Sequence, residues 1–284
     1  MLILRVPQVL TLLILGAWLV ACAVKPATPA RQPVVLTEAE ELQLAQDNDN
    51  EIRKKFGVLS NARLQAYVQA VGERLVPHSP RPQLQYRFTV LDSPQVNAFA
   101  LPGADIYVTR GLLAYLNSEA QLAAILSHEL GHAGARHVVH HYSTQVTNKI
   151  NGMFGALLTP LSTRPVPSLL GTLGDALHSG YGREAELEAY RLGAEILARA
   201  DYDPQVMLEV ATLLKNQQSF EKQAAEREER DMRVHHAVFA IQAGSDEGLQ
   251  QTVAAAEKYR NPVNVRAERL LYLKLLDGLV WGDS

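Results

Sequence analysis

His128, Glu129 and His132 stand in Ser127-His128-Glu129-Leu130-Gly131-His132, an HExxH arrangement. On a helix, positions four apart share a face, so His128 and His132 present imidazole nitrogens to one ion. Glu129 follows the first histidine, where its carboxylate reaches water beside the ion instead of the ion itself. The set suits zinc-assisted peptide hydrolysis: the ion acidifies water and polarises the carbonyl, and Glu129 takes the proton. Leu122 to Ala135 favours a helix, with Ala, Leu, Ile and Glu and no proline. Asn117 or Ser118 supplies its N-cap, and Ser118-Glu119-Ala120-Gln121 fits a capping box. Small Gly131 is read as leaving room beside the ion.

A hydrolytic zinc site needs a third protein ligand and an open position for water. The next strong helical stretch, Arg183 to Ala200, separates into two faces. Glu184, Glu188, Arg191 and Glu195 form a charged stripe. Glu186, Tyr190, Gly193 and Leu197 form the opposite, largely apolar stripe, on which Glu186 is the acid. A carboxylate turned toward a core is costly unless paired or metal-bound. Glu186 is therefore the expected third ligand.

Four ordered stretches carry a family resemblance: Asn97 to Gly103, Tyr107 to Leu112, His128 to His132, and Tyr181 to Ala189. Together they resemble the gluzincin peptidase family M48. The resemblance spans about Thr37 to Arg260. It implies His128, His132 and Glu186 as zinc ligands and Glu129 as general base. Three positions depart from the family pattern. Tyr190 stands where the family carries Asp, and Gln242 and Gly248 stand where it carries His and Arg. Tyr190 either substitutes for a lost donor through its hydroxyl or fills the space left behind, and Gln242 is the other candidate beside the centre.

The elements before the zinc helix must position it. Thr37 to about Phe56 and Asn61 to Leu75 read as amphipathic helices, the second with Leu64, Val68, Val71 and Leu75 at helical spacing. Tyr86 to Leu91, Asn97 to Leu101 and Asp105 to Thr109 read as strands, the last two joined at Pro102-Gly103. The expected class is α+β, mainly α: a zincin-like domain with a small antiparallel sheet and an HExxH helix. Asn97, Ala98 and Phe99 either form an edge strand that receives an extended substrate or only cover the core. His137, His140 and His141 read as a polar continuation after the zinc helix. Residues 152–180 read as a flap, a membrane-contacting loop or an ordinary loop. Adjacent His235 and His236 diverge on a helix and cannot chelate as a pair. A last helix opens at Pro262, with Leu270, Leu271, Leu273, Leu275 and Leu276 as an apolar docking side.

The formal net charge of -3, without a basic block, argues against nucleic acid as a partner. Met1 to Val20 has one cation, Arg5, before an apolar run ending Leu19-Val20-Ala21-Cys22. The plan is that of a secretory signal. Its ending resembles a bacterial lipobox, which implies cleavage before Cys22 and lipidation of that residue. An uncleaved span is disfavoured by the short apolar core and Pro7. Ala23 after the cysteine resembles the outer-membrane sorting pattern, facing the periplasm. The organisation expected is a signal peptide over 1–21, a proline-containing tether over 22–36 and a metallopeptidase domain over 37–284.

The function expected is endopeptidase hydrolysis of unfolded or misassembled envelope proteins, with one zinc ion. Polypeptides are the substrates, lipidated Cys22 meets the membrane, and an envelope-assembly partner is open. The alternative is a zinc-binding, chaperone-like lipoprotein with little proteolysis, which Tyr190, Gln242 and Gly248 favour and Glu129 opposes.

Overall fold

A computed structural model describes residues 36–154, 181–228, 247–259, 266 and 268–279. The leader with Cys22, the tether up to residue 35, residues 155–180, and the stretch with His235, His236 and Gln242 lie outside the described residues.

Helix α1 (Glu38–Phe56) starts in a capping box, as Thr37-Glu38-Ala39-Glu40 suggests. Thr37 Oγ1 accepts from the Glu40 N–H at 3.3 Å, and the Glu40 carboxylate accepts from the Thr37 N–H at 2.8 Å. Helix α2 (Ala62–Leu75) is capped by Asn61 and buries the row Leu64, Val68, Val71 and Leu75.

Three strands follow: β1 (Arg87–Leu91), β2 (Ala98–Ala100) and β3 (Asp105–Thr109). Their order is β1-β3-β2. β2 and β3 form the expected antiparallel pair around Pro102-Gly103, where Gly103 has φ 88°. β1 runs parallel to β3, so the sheet is mixed and the expectation of an antiparallel sheet is corrected. Residue alternation is the same in either pairing. Only the crossing of Asp92 to Asn97 to the far side of β3 decides it.

The sheet is covered on both faces. Phe99 and Tyr107 stack at 5.1 Å in a cluster with Ala45 and Ile52 of α1. Ala98, Ala100, Ile106 and Val108 belong to the main core. The outer edge of β1 is closed by α2. The Gln65 amide donates to Val90 O at 2.8 Å and accepts from the Val90 N–H at 3.0 Å. Gln69 accepts from the Phe88 N–H at 2.9 Å and donates to Tyr86 O at 3.3 Å. Two glutamines one turn apart thus satisfy an edge that otherwise invites another strand.

After α3 (Arg110–Tyr115) comes α4 (Glu119–Gly134), the HExxH helix, buried along nearly its whole length. Ser118 Oγ caps it by accepting from the Gln121 N–H at 3.3 Å. The capping box is only half made, because the Gln121 side chain accepts from Asn117 N–H instead of Ser118. Buried Glu119 in the first turn accepts from Tyr67 Oη, Tyr202 Oη and Arg74 at 2.7, 2.7 and 2.6 Å. At the other end Arg136, with φ 58°, donates to Glu41 at 3.0 Å. Glu41 is 1% exposed and also accepts from Arg81 and from the Gly103 N–H. This residue ties α1, the β2–β3 turn and the end of α4 together.

The remaining helices are α5 (His137–Phe154), α6 (Arg183–Arg199), α7 (Val206–Arg227), α8 (Glu247–Ala256) and α9 (Arg269–Leu275). On α9 the buried anchor is Tyr272, whose hydroxyl donates to Leu113 O at 2.6 Å. Leu270, Leu271 and Leu273 are exposed, against the expectation that they dock.

α4 and α6 cross in near-backbone contact. A Cβ on Gly131 would lie 2.7 Å from Ala189 O, and one on Gly193 would lie 3.1 Å from the His128 nitrogen. The room beside Gly131 is therefore taken by α6, not left for an ion as expected.

Two stability predictions follow from this packing. Ala in place of Gly inside a helix ordinarily stabilises by about 1 kcal/mol. Gly131→Ala should instead lower the unfolding temperature, because the clash is with backbone, at a cost of about 1–3 kcal/mol. A rise in thermal unfolding temperature would refute the close crossing. Gln65→Leu should cost about 1–3 kcal/mol by orphaning the Val90 N–H, measured by urea unfolding, while Val90 O still accepts from the Leu59 N–H at 3.0 Å. A neutral result would mean that water replaces the glutamine.

Candidate metal centre

The helical period places His128 and His132 on one face of α4, and both are buried. Their Nε2 atoms lie 3.0 Å apart. Glu186, in the first turn of α6, brings Oε2 to 3.5 Å from each of them. Tetrahedral bonds of about 2.0–2.1 Å give ligand–ligand edges of about 3.3 Å. The three atoms thus form a triangle of the size a zinc ion spans. At 3.5 Å the oxygen lies beyond strong hydrogen-bond range. Two imidazole nitrogens and a carboxylate oxygen converging in a buried place fit a dication better than they fit one another. Among the described residues, this is the group of His, Cys, Asp and Glu side chains whose ligand atoms gather within 4.8 Å.

Glu186 is aimed by its surroundings. The Tyr181 backbone N–H donates to its Oε1 at 3.1 Å, leaving Oε2 for the histidines. Burial opposes its charge, but His132 and His128 outweigh burial and hold the carboxyl well below the usual range. Its stripe is buried as the sequence indicated, with Tyr190, Gly193 and Leu197, while Glu184, Glu188 and Arg191 are exposed.

Glu129 reaches the sheet beside the triangle. Its carboxylate accepts from the Ala100 backbone N–H. Burial, with a smaller contribution from the Glu186 charge, pushes its pKa up to about 8. A cation in the triangle would act against this rise. The arrangement sets a proton-accepting carboxylate between the sheet edge and the ligand triangle.

The other candidates fall out as follows. β2 is the sheet edge nearest Glu129. Asn97 is engaged inside the sheet: its carbonyl accepts from the Thr109 N–H at 3.0 Å, and its N–H donates to Thr109 Oγ1 at 3.0 Å. By strand alternation Ala98 and Ala100 turn their backbone groups to the open edge, whereas Phe99 faces β3. Phe99 instead contributes its ring to the α1 side. Tyr190 is fully buried, with its ring 4.7 Å from that of His128. Burial, then the Glu186 charge, pushes its hydroxyl pKa well up. Gly248 falls in α8, while Gln242 and Cys22 lie outside the described residues.

Two neighbours were missed. His137 is buried, not part of a solvated continuation, and its Nδ1 lies 2.9 Å from His132 Nδ1. Burial and then the neighbouring His132 push its pKa down to about 4. Tyr181 lays its ring 4.7 Å from that of His132 and 6.3 Å from that of His137. Five-residue spacing hid His137, since an unbroken helix would turn it about 140° from His132. The Arg136 left-handed conformation redirects it. Tyr181 had a visible signal, its place just before the Glu186 helix.

The model of peptidase family M48 matches residues 62–252 of the chain. Among curated relatives, the beta-barrel assembly-enhancing protease of Escherichia coli O157:H7 is 28% identical over 179 residues, 61% of this chain and 37% of that protein. The mitochondrial metalloendopeptidase OMA1 of Arabidopsis thaliana is 36% identical over 124 residues, 43% of this chain and 24% of the relative. OMA1 of Schizosaccharomyces pombe is 31% identical over 168 residues, 58% of this chain and 49% of the relative. The chain thus spans less than half the length of these relatives. The family match covers the sheet, the HExxH helix and the Glu186 helix together, and the chain belongs to peptidase family M48.

Proposed function

We propose that the chain is a zinc-dependent endopeptidase acting on unfolded or misassembled proteins of the bacterial cell envelope. The observation that carries the reading is the buried triangle of His128, His132 and Glu186 with Glu129 beside it. The family membership and the relatives named as proteases support it. The envelope assignment draws support from the relative named for beta-barrel assembly and from the lipobox-like leader ending at Cys22. In this reading residues 1–21 are a signal peptide, 22–36 a tether and 37–284 the peptidase domain, held by lipid on the periplasmic side of the outer membrane.

His128, His132 and Glu186 hold the metal. When bound, zinc supplies Lewis acidity that polarises a scissile carbonyl and lowers the pKa of water. The Glu129 carboxylate takes a proton from the attacking water and passes it to the leaving amine nitrogen. The Ala100 N–H holds that carboxylate in place. The open edge groups of Ala98 align an extended polypeptide across it. The surrounding core excludes other water.

A second reading has its own observation. The Tyr190 ring packs against His128 where the family carries an acid, so the chain binds zinc and polypeptide with little turnover. Losing a group that orients a metal-binding side chain costs about 10–100-fold.

The test is zinc content and casein cleavage by the full chain and by Glu129→Gln. One zinc in both, with cleavage only by the wild type, is expected, with a fall of at least about 100-fold. Zinc in both without cleavage in either favours the binding reading. Absence of zinc would overturn both. Zinc at a hundredfold excess over its Kd should also stabilise folding by about 2.7 kcal/mol, read as a raised unfolding temperature that a chelator reverses.

A further inference from the structure

Behind the ligand triangle stands a second row of polar side chains. His132 Nδ1 faces His137 Nδ1 at 2.9 Å, and His137 Nε2 faces Glu188 Oε2 at 3.2 Å. The two imidazole rings meet edge-on, with centroids 5.0 Å apart and planes at 72°. The row begins at the buried centre and ends at a half-exposed carboxylate. The Tyr181 ring lies near both imidazoles.

The proton positions along this row follow from its inner end. His132 aims Nε2 into the triangle, so that nitrogen must offer a lone pair and the ring proton must sit on Nδ1. His137 Nδ1 must then accept, which leaves the His137 proton on Nε2. Glu188 Oε2 accepts a hydrogen bond from His137 Nε2–H. Each atom has one possible role, and the row ends on an anion that favours it. We propose that His137 and Glu188 are positioning residues for the metal centre: a His132–His137–Glu188 relay fixes the tautomer and ring angle of His132 and thereby sets how tightly the metal is held.

The proposal rests on the metal-centre reading above. It also explains why α5 does not simply continue α4. The Arg136 φ of 58° swings His137 back beneath His132. Glu188 belongs to the outward stripe of α6, two residues beyond Glu186. One helix therefore gives a carboxylate to the centre itself and another to the relay.

The test measures zinc affinity of the full chain by competition with a chromophoric chelator, for His137→Leu, His137→Asn, Glu188→Leu and the double variant His137→Leu with Glu188→Leu. The expected loss for His137→Leu is about 10–100-fold, the size typical of lost ligand support. His137→Asn should recover most of it, because its amide oxygen still accepts from His132 Nδ1–H. Glu188→Leu should lose less, and should lose nothing further in the His137→Leu background. The unfolding temperature of each metal-free variant serves as the control for a merely structural role. In the zinc-loaded wild type, a slowly exchanging His132 imidazole N–H should appear by NMR and vanish in His137→Leu. If His137→Leu folds poorly, Glu188→Leu and His137→Asn carry the comparison. Zinc held as tightly by His137→Leu as by wild type would overturn the relay, as would full additivity of the two leucine changes. A wild type that binds no zinc would instead overturn the centre itself, and the relay with it.

Discussion

The near-backbone crossing of α4 and α6 is the constraint on which the centre depends. Two of the three converging side chains, His128 and His132, come from one helix, where the period alone sets their spacing. The third comes from a different helix, and only the distance between helix axes brings it within reach. Gly131 against Ala189 and Gly193 against the His128 backbone set that distance. Helices that meet through larger side chains pack about 8–10 Å apart, with the spacing set by those side chains. Here a single methyl group at either glycine competes with the position of Glu186. The small residues of the motif thus shape the site through the fold, without touching the ligand.

A helix buried on every side has no solvated face, so its orientation must be fixed by polar groups at its ends. α4 solves this with an acid at each end. Glu119 gathers Tyr67, Tyr202 and Arg74 at the start, and Glu41 gathers Arg81, Arg136 and the Gly103 N–H at the finish. Each of these carboxylates is almost wholly buried and surrounded by donors. Buried charge of this kind contributes little net stability, because desolvation offsets the attraction. It does penalise every arrangement in which the partners separate. The two clusters therefore act on register: they hold the length of α4 against the sheet, so that Glu129 meets the Ala100 N–H.

What could be read in advance was whatever a helical period encodes. The HExxH face, the Glu186 stripe and the buried row of α2 all repeat within one helix, and all three lie where the period puts them. What stayed hidden depends on relations between elements. The parallel pairing of β1 with β3 leaves no trace in alternation. Gly131 is small because of a carbonyl on another helix, and nothing within α4 says so. His137 escaped notice because a break at Arg136 cancels the angular rule that made His128 and His132 obvious. Leu270 and Leu271 misled in the opposite direction: apolar type suggested docking, while the buried contact falls to Tyr272 between them and Leu273. Local periodicity is visible in a chain, and the meeting of two elements is visible only when both are placed.

Charge gives the last link between the departure at Tyr190 and the centre. Glu129 and Glu186 are both buried in one place, and burial without compensation disfavours two such anions. The rise at Glu129 and the fall at Glu186 express that conflict: one carboxyl keeps its charge beside the histidines, and the other is driven toward its neutral form. A dication between them would resolve it, since two carboxylates and neutral imidazoles then leave no net formal charge at the centre. An aspartate at position 190 would add a third anion beside His128. Tyrosine adds none, and burial keeps its hydroxyl in the neutral form. Tyr190 therefore leaves a centre whose formal charges cancel when a dication is bound. On the other side His132 keeps a polar neighbour in His137, with Glu188 behind it. The two histidines of the triangle thus have different neighbours: the Tyr190 ring packs against His128, and the His137 imidazole lies within hydrogen-bond distance of His132, so a change at position 190 and a change at position 137 perturb the centre from opposite sides.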